Sequence, residues 1–268
     1  MNEPTISTQQ YLFLKNHKKY HFMITFLRLI IFIAFVFLWE TASELGWIDS
    51  FFFSSPSKVL YCTWDMFLNK NLCMHIGITL LETIVSFFLV LSGGIFVAAL
   101  LWYFPFLSDI SEPYLVVLNS LPKSALAPLF IVWLGTGTKT IVIAGMSVAL
   151  FGAIISIYTC FKEVEPDKIM LVKTLGGNKR QEFLKVVLPS SIPTLISIMK
   201  INIGLALVGV IIGEFLAARN GLGYLIIYGS QVFQLDMVIS SIIILCIIAM
   251  LLYQGIQWLE HLYKRKWK

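Results

Sequence analysis

Apolar residues in this chain gather in long runs, not in the stripes of a half-buried helix or the alternation of a half-buried strand. Six runs stand out, at roughly 22–41, 76–101, 113–134, 139–160, 190–216 and 237–259. Crossing the hydrocarbon core of a bilayer takes about 20 apolar residues of helix, so the pattern predicts an all-α, polytopic membrane protein with six transmembrane helices. The third run, PYLVVLNSLPKSALAPLFIVWLG, differs from the rest. Pro122, Lys123 and Pro128 within it predict a broken helix shielded by protein, because unpaired backbone cannot face lipid.

Lys and Arg fall in three blocks between these runs. Lys15, Lys18 and Lys19 precede the first; Lys162, Lys168, Lys173, Lys179, Arg180 and Lys185 separate the fourth from the fifth; Lys264, Arg265, Lys266 and Lys268 follow the sixth. With six spans all three blocks share one side, which the positive-inside rule makes the cytoplasm, and both termini are then cytoplasmic. The other side receives 42–75, the turn GTGTK, and 217–236, where Arg219 is the one basic residue. The expected organisation is a cytoplasmic N-terminal segment 1–21, one transmembrane domain 22–260 with a cytoplasmic loop 162–189, and a basic tail 261–268. No small-residue cleavage site follows the first run, so it is expected to be an uncleaved anchor. No tandem repeat or low-complexity segment interrupts the chain.

Two polar stretches carry patterns of their own. In 42–75, Pro56 follows two serines and is followed by Val59, Leu60, Trp64, Phe67 and Leu68, which predicts a short amphipathic helix at the outer interface. In 162–189, acids and bases alternate around Ile169, Leu171, Val172 and Leu175. A break at Gly176-Gly177-Asn178 follows, then a second apolar turn with Phe183, Leu184, Val186 and Val187. The prediction is a helix, a glycine turn and a helix. Helices this short are marginal in water. Their stripe therefore needs a surface, supplied either by a partner protein or by this chain's own membrane domain.

Composition agrees with the membrane reading. The 268 residues are 58% hydrophobic and 13% charged, with a mean hydropathy of +0.83. A net charge of +5 held in blocks beside apolar runs leaves no basic domain for a nucleic acid. Cys62, Cys73, Cys160 and Cys246 show no metal spacing and are expected as free thiols, although Cys62 and Cys73 share one loop. GTGTKT at 135–140 lacks the spacing of a phosphate-binding loop, and His17, His21, His75 and His261 are dispersed. No catalytic set, metal site or cofactor is expected.

Polar groups inside the runs are functional candidates by default. Lys123 suits two roles: a charge lining a pathway for an anion, or a side chain bonding the carbonyls that the prolines leave free. Glu214 ends the fifth run, where it can brace the loop RNGLGYL or meet a solute, and Asn202 in the same run can bridge helices or, with Lys123 and Glu214, line a solute pathway. Gly204, Gly209 and Gly213 permit close helix approach, within the subunit or against a second copy.

The spacing of Gly176, Val186 and Leu188-Pro189 resembles the cytoplasmic "EAA" loop of bacterial ABC importer permeases. Met170, Leu171 and Val172 stand where the family has Glu-Ala-Ala. LNSLPKSALAPLFIVWLGTGTKT (118–140), GEFLAARNGLGYLI (213–226) and SSPSKV (54–59) are similar to the branch that imports nitrate, taurine, aliphatic sulfonates and a thiamine pyrimidine precursor. Glu82 is unlike that branch, which tends to carry a basic residue there. The resemblance implies the type I ABC importer permease fold, an ATPase activity held by a separate cytoplasmic subunit, an extracytoplasmic solute-binding protein, a second permease copy, and the plasma membrane of a bacterium. It also implies that 162–189 docks on the ATPase. Leu171, Leu175 and Phe183 would be its contacts, Gly176 and Gly177 its turn, Lys179 and Arg180 with Lys185 its charged rim, and Pro189 the start of the next span. The alternative is a self-sufficient, ion-coupled secondary transporter, which usually shows internal repeats and midplane acids.

Overall fold

A computed structural model describes residues 8–266. Residues 1–7 of the expected N-terminal segment and 267–268 of the expected basic tail, Lys268 among them, lie outside the described residues, as do the side chains of Lys15, Lys18, His21 and Lys266. Every described regular element is a helix. The chain divides into two units, one up to Cys62 and one from Thr63 onward.

The first unit holds α1 (Thr8–Glu44), α2 (Ser50–Phe53) and the start of α3 (Pro56–Asn69). α1 begins well before the apolar run, since Gln and Lys extend a helix readily once it is nucleated. Its most apolar stretch buries nothing, as suits a helix bathed in lipid. The Asp49 carboxylate caps α2 by accepting from the Phe51 N–H at 2.8 Å. Glu40 accepts from the Ser57 N–H at 3.0 Å, which ties the start of α3 to α1. α3 is the amphipathic helix expected from Pro56. Val59 and Met66 are buried, while Leu60, Trp64, Phe67 and Leu68 are exposed.

The second unit continues with α4 (Leu72–Tyr103), α5 (Pro105–Ser120), α6 (Lys123–Leu134), α7 (Thr138–Lys162), α8 (Pro166–Thr174), α9 (Lys179–Glu182), α10 (Leu188–Ala217), α11 (Leu222–Gln231) and α12 (Leu235–Lys266). Among the described residues, five apolar helical stretches are long enough to cross a membrane: Phe22–Glu44, Leu72–Tyr103, Thr138–Lys162, Lys179–Ala217 and Leu235–Arg265. The pair α5 and α6, bent by 92° at Leu121-Pro122, makes a sixth when taken as one broken span. The third run therefore breaks as expected. It starts earlier, at Pro105, because a proline is well placed in a first helical turn.

The middle helix is α7, flanked along its length by α4 and α10. Val90 and Ala98 of α4, Ala149, Ala153, Ile157 and Phe161 of α7, and Leu195 of α10 form one buried cluster. Small residues set how closely the backbones approach. A Cβ at Gly209 would lie 2.8 Å from the Gly145 Cα, and one at Gly213 would lie 2.9 Å from the Ile141 Cα. The Gly209–Gly213 pair thus packs α10 on α7 within this chain. Gly204, grouped with them by sequence, meets nothing within 4 Å and is exposed.

Two elements depart from expectation. The stretch after the fifth span, expected as a loop, contains α11. The second short helix after the glycine turn is not separate: α9 runs through a π-helical turn at Phe183–Val187 straight into α10. Pro189 has no N–H to give the Lys185 carbonyl, and the helix widens there so that the Leu188 N–H reaches Phe183 O instead.

Candidate functional site

Two regions at opposite ends of the spans concentrate the polar groups. At one end lies the segment between α7 and α10. Pro166 starts α8, and Leu175, Gly176 and Gly177 close it. The Gly176 N–H donates to Lys173 O at 2.9 Å and the Gly177 N–H to Val172 O at 2.8 Å, the paired bonds of a Schellman cap. Both glycines are required by geometry. Gly176 sits at φ +79°, where L side chains are strained, and a Cβ on Gly177 would lie 2.8 Å from the Val172 carbonyl oxygen. Asn178 then opens α9 with a capping box, its side chain accepting from the Gln181 N–H at 2.9 Å while Gln181 returns the bond. The turn is stapled on both sides.

This segment has two apolar faces. Ile169 and Phe183 pack against the membrane unit, Phe183 lying 5.3 Å from the Trp102 ring and 5.4 Å from the Phe161 ring, centroid to centroid. Leu171 and Leu175 point away, 62% and 79% exposed, with Met170 beside them. Phe183, expected with the outward contacts, is turned inward by its place on the helix that continues into α10. Lys179, expected on a charged rim, is also engaged. Its ammonium donates to Tyr103 O at 2.6 Å, over the Tyr103 ring, and so pins α9 to the C-terminal carbonyls of α4. Arg180 and Lys185 are exposed.

At the other end, α11 is held by side chains from two spans. The free N–H groups of a helix's first turn need acceptors. The Gly221 N–H donates to His75 Nδ1 at 2.9 Å, the Leu222 N–H to Thr79 Oγ1 at 2.9 Å, and the Gly223 N–H to Glu214 Oε2 at 2.5 Å. The Thr79 hydroxyl in turn donates to Glu214 Oε1 at 2.7 Å. His75, Thr79 and Glu214 are all buried. Glu214 therefore sits where a brace for RNGLGYL should sit. His75, Thr79 and Glu82, each roughly a turn apart on one face of α4, were not assigned there from sequence. Their i, i+4, i+7 spacing was the available signal.

The remaining candidates sit apart. Lys123 donates to the carbonyls of Leu118, at 2.9 Å, and Asn119. The first of these is the carbonyl that Pro122 cannot serve, so the structure places the ammonium at the broken end of α5. Asn202 is buried but donates to Ile198 of its own helix at 3.0 Å. A charge that sequence reading passed over, Lys200 on α10, pairs with Glu260 on α12, which also accepts from Lys264 at 2.7 Å. Among the described residues, no group of three or more His, Cys, Asp or Glu could hold a metal ion. Cys73, Cys160 and Cys246 are free thiols.

Comparison with known proteins matches residues 89–268 to the family described as "Binding-protein-dependent transport system inner membrane component". A probable ABC transporter permease protein of Haemophilus influenzae is 29% identical over 225 residues, covering 84% of this chain and 91% of that protein. The taurine transport system permease protein of Escherichia coli K12 is 26% identical, covering 83% of each chain. Among solved structures, the methionine ABC transporter MetNI in inward-facing conformations shares the fold, with a TM-score of 0.64 at 20% identity over 71% of this chain and 94% of that one.

Proposed function

We propose that this chain, which belongs to the family of binding-protein-dependent transport system inner membrane components, translocates a small anionic solute across a bacterial plasma membrane. It is an ABC importer permease. The proposal concerns what it carries and how it is driven. The relative named for taurine supports a nitrate, sulfonate or taurine class of solute, with a thiamine pyrimidine precursor as the uncharged member of the same branch. An extracytoplasmic binding protein delivers the solute, and two copies of this chain form the passage. ATP is hydrolysed on separate cytoplasmic subunits.

The observation that carries this reading is the pair of exposed leucines, Leu171 and Leu175, held at a rigid glycine turn that is itself pinned to α4 through Lys179. A greasy surface at the end of a stapled lever suits a groove on another protein, and a push on it passes through α9 into α10 without a flexible joint. Arg180 and Lys185 remain free to steer the encounter. In this reading the loop 162–189 and both termini are cytoplasmic, and 42–75 is external.

Single cysteines in a background lacking the native ones test both orientation and docking. Lys58→Cys is expected to react with a membrane-impermeant maleimide in intact cells. Leu175→Cys is expected to react only in inverted vesicles, and to be shielded when the ATPase subunit is bound. Labelling of Leu175→Cys in intact cells, or no shielding by the ATPase, contradicts the proposal.

A further inference from the structure

The end of the spans that carries α11 holds an open cavity of about 490 Å³, lined among others by Glu82, Thr136, Thr138, Arg219 and Asn220. Glu82 at its wall is the anomaly. The residue is 1% exposed, and neither carboxyl oxygen has a hydrogen-bond partner. Its polar neighbours are Thr138 and the carboxyl of Glu214. Glu214 brings a second acid and no positive charge, and its own oxygens are engaged by the Thr79 hydroxyl and the Gly223 N–H. Arg219 lines the same cavity, yet among the described ion pairs none joins it to Glu82. A buried carboxyl with the Thr138 hydroxyl as its one neighbouring donor, beside a second carboxyl, is costly to keep ionised without a positive partner, and a group of that kind suits a partner from outside the chain.

We propose that this cavity is a recognition site for a positively charged group, with the Glu82 carboxylate as its counter-charge. A cation seated beside Thr138 approaches the Glu82 side chain at the cavity wall and leaves intact the hydrogen bonds that hold α11. The charge has two sources: a free alkali ion, or the ammonium of a small solute. For a zwitterionic solute, Arg219 on the same cavity supplies the partner for the acidic group.

Binding is measured on the full chain purified in lipid nanodiscs, without ATPase or binding protein, so the outcome is independent of the coupling reading. Thermal unfolding is followed while sodium chloride, ethylammonium chloride or taurine is titrated, with choline chloride and choline ethanesulfonate as controls for ionic strength and for the sulfonate group. At least one of the three probes is expected to raise the midpoint by several degrees beyond its control. Sodium acting alone assigns the site to an alkali ion; ethylammonium or taurine acting without sodium assigns it to a solute ammonium. Glu82→Gln is expected to weaken that binding about tenfold or more, as loss of a buried counter-charge does. Should Glu82→Gln fail to fold, Glu82→Asp and Thr138→Val serve in its place, each expected to weaken the same probe. Absence of any shift beyond the controls overturns the proposal, as does a shift unaltered in Glu82→Gln or, in its stead, in both substitute variants.

Discussion

Leu175→Asp is expected to leave the chain inserted and accumulated in the membrane while solute uptake falls at least tenfold. Leu175 is 79% exposed, so the substitution removes no buried contact from the chain and insertion has no reason to suffer. In the proposed complex with the ATPase the same position is covered. A carboxylate forced into an apolar groove without a partner costs several kcal/mol, and a loss of about 1.4 kcal/mol already weakens association tenfold. Gly176→Val should give the same phenotype by another route. Its φ of +79° strains a β-branched residue by about 1–3 kcal/mol, and relieving that strain re-aims α8 relative to α9. Uptake and ATPase stimulation by the loaded binding protein are the readouts. Wild-type values for both in the two variants would return the segment to the role of a connector packed on its own membrane unit.

The second large effect is expected at Glu214. Glu214→Ala leaves the Gly223 N–H and the Thr79 hydroxyl buried without their acceptor. At about 1–3 kcal/mol per unsatisfied group, less the relief of removing an acid beside Glu82, the net loss is about 2–4 kcal/mol. That lowers the unfolding midpoint by roughly 5–15 °C. Glu214→Gln keeps an acceptor and should lose about half as much. Glu82→Gln, measured in choline, should move the midpoint the other way or leave it unchanged, because it removes a buried acid that sits beside a second acid. Equal destabilisation by Glu82→Gln and Glu214→Ala would mean that the two acids are held by a shared network, and the account of Glu214 as the brace and Glu82 as the unserved group would fail.

Much of the fold could be read along the chain because the signal is local. An apolar run long enough to span a bilayer depends on consecutive residues alone, and the Pro122 break and the Gly176 turn are backbone constraints that reach only a few residues. The carboxyl network depends on residues more than a hundred positions apart. Thr79 and Glu214 meet only once α4 and α10 have packed on either side of α7, so Glu82 carried no visible role. The segment before α10 shows a subtler limit. Periodicity revealed an apolar surface on 166–187, but not that it was two surfaces, one for Ile169 and Phe183 against this chain and one for Leu171 and Leu175 away from it. The small residues of α10 were equally legible and equally mute about their partner: Gly209 and Gly213 met α7, and Gly204 met nothing. Lys200 could have been found by asking which span end offers an acid at matching depth, and Glu260 on α12 is that acid.

The central claim is that this chain moves solute only when an ATPase drives it through the α8–α9 lever. Proteoliposomes containing the chain, its ATPase and the binding protein test it most directly, with labelled solute outside and ATP sealed inside. The account predicts uptake that requires hydrolysable ATP and the binding protein, persists when sodium and proton gradients are collapsed, and is lost in Leu175→Asp. Uptake by the chain alone, driven by an ion gradient without ATP, would contradict it.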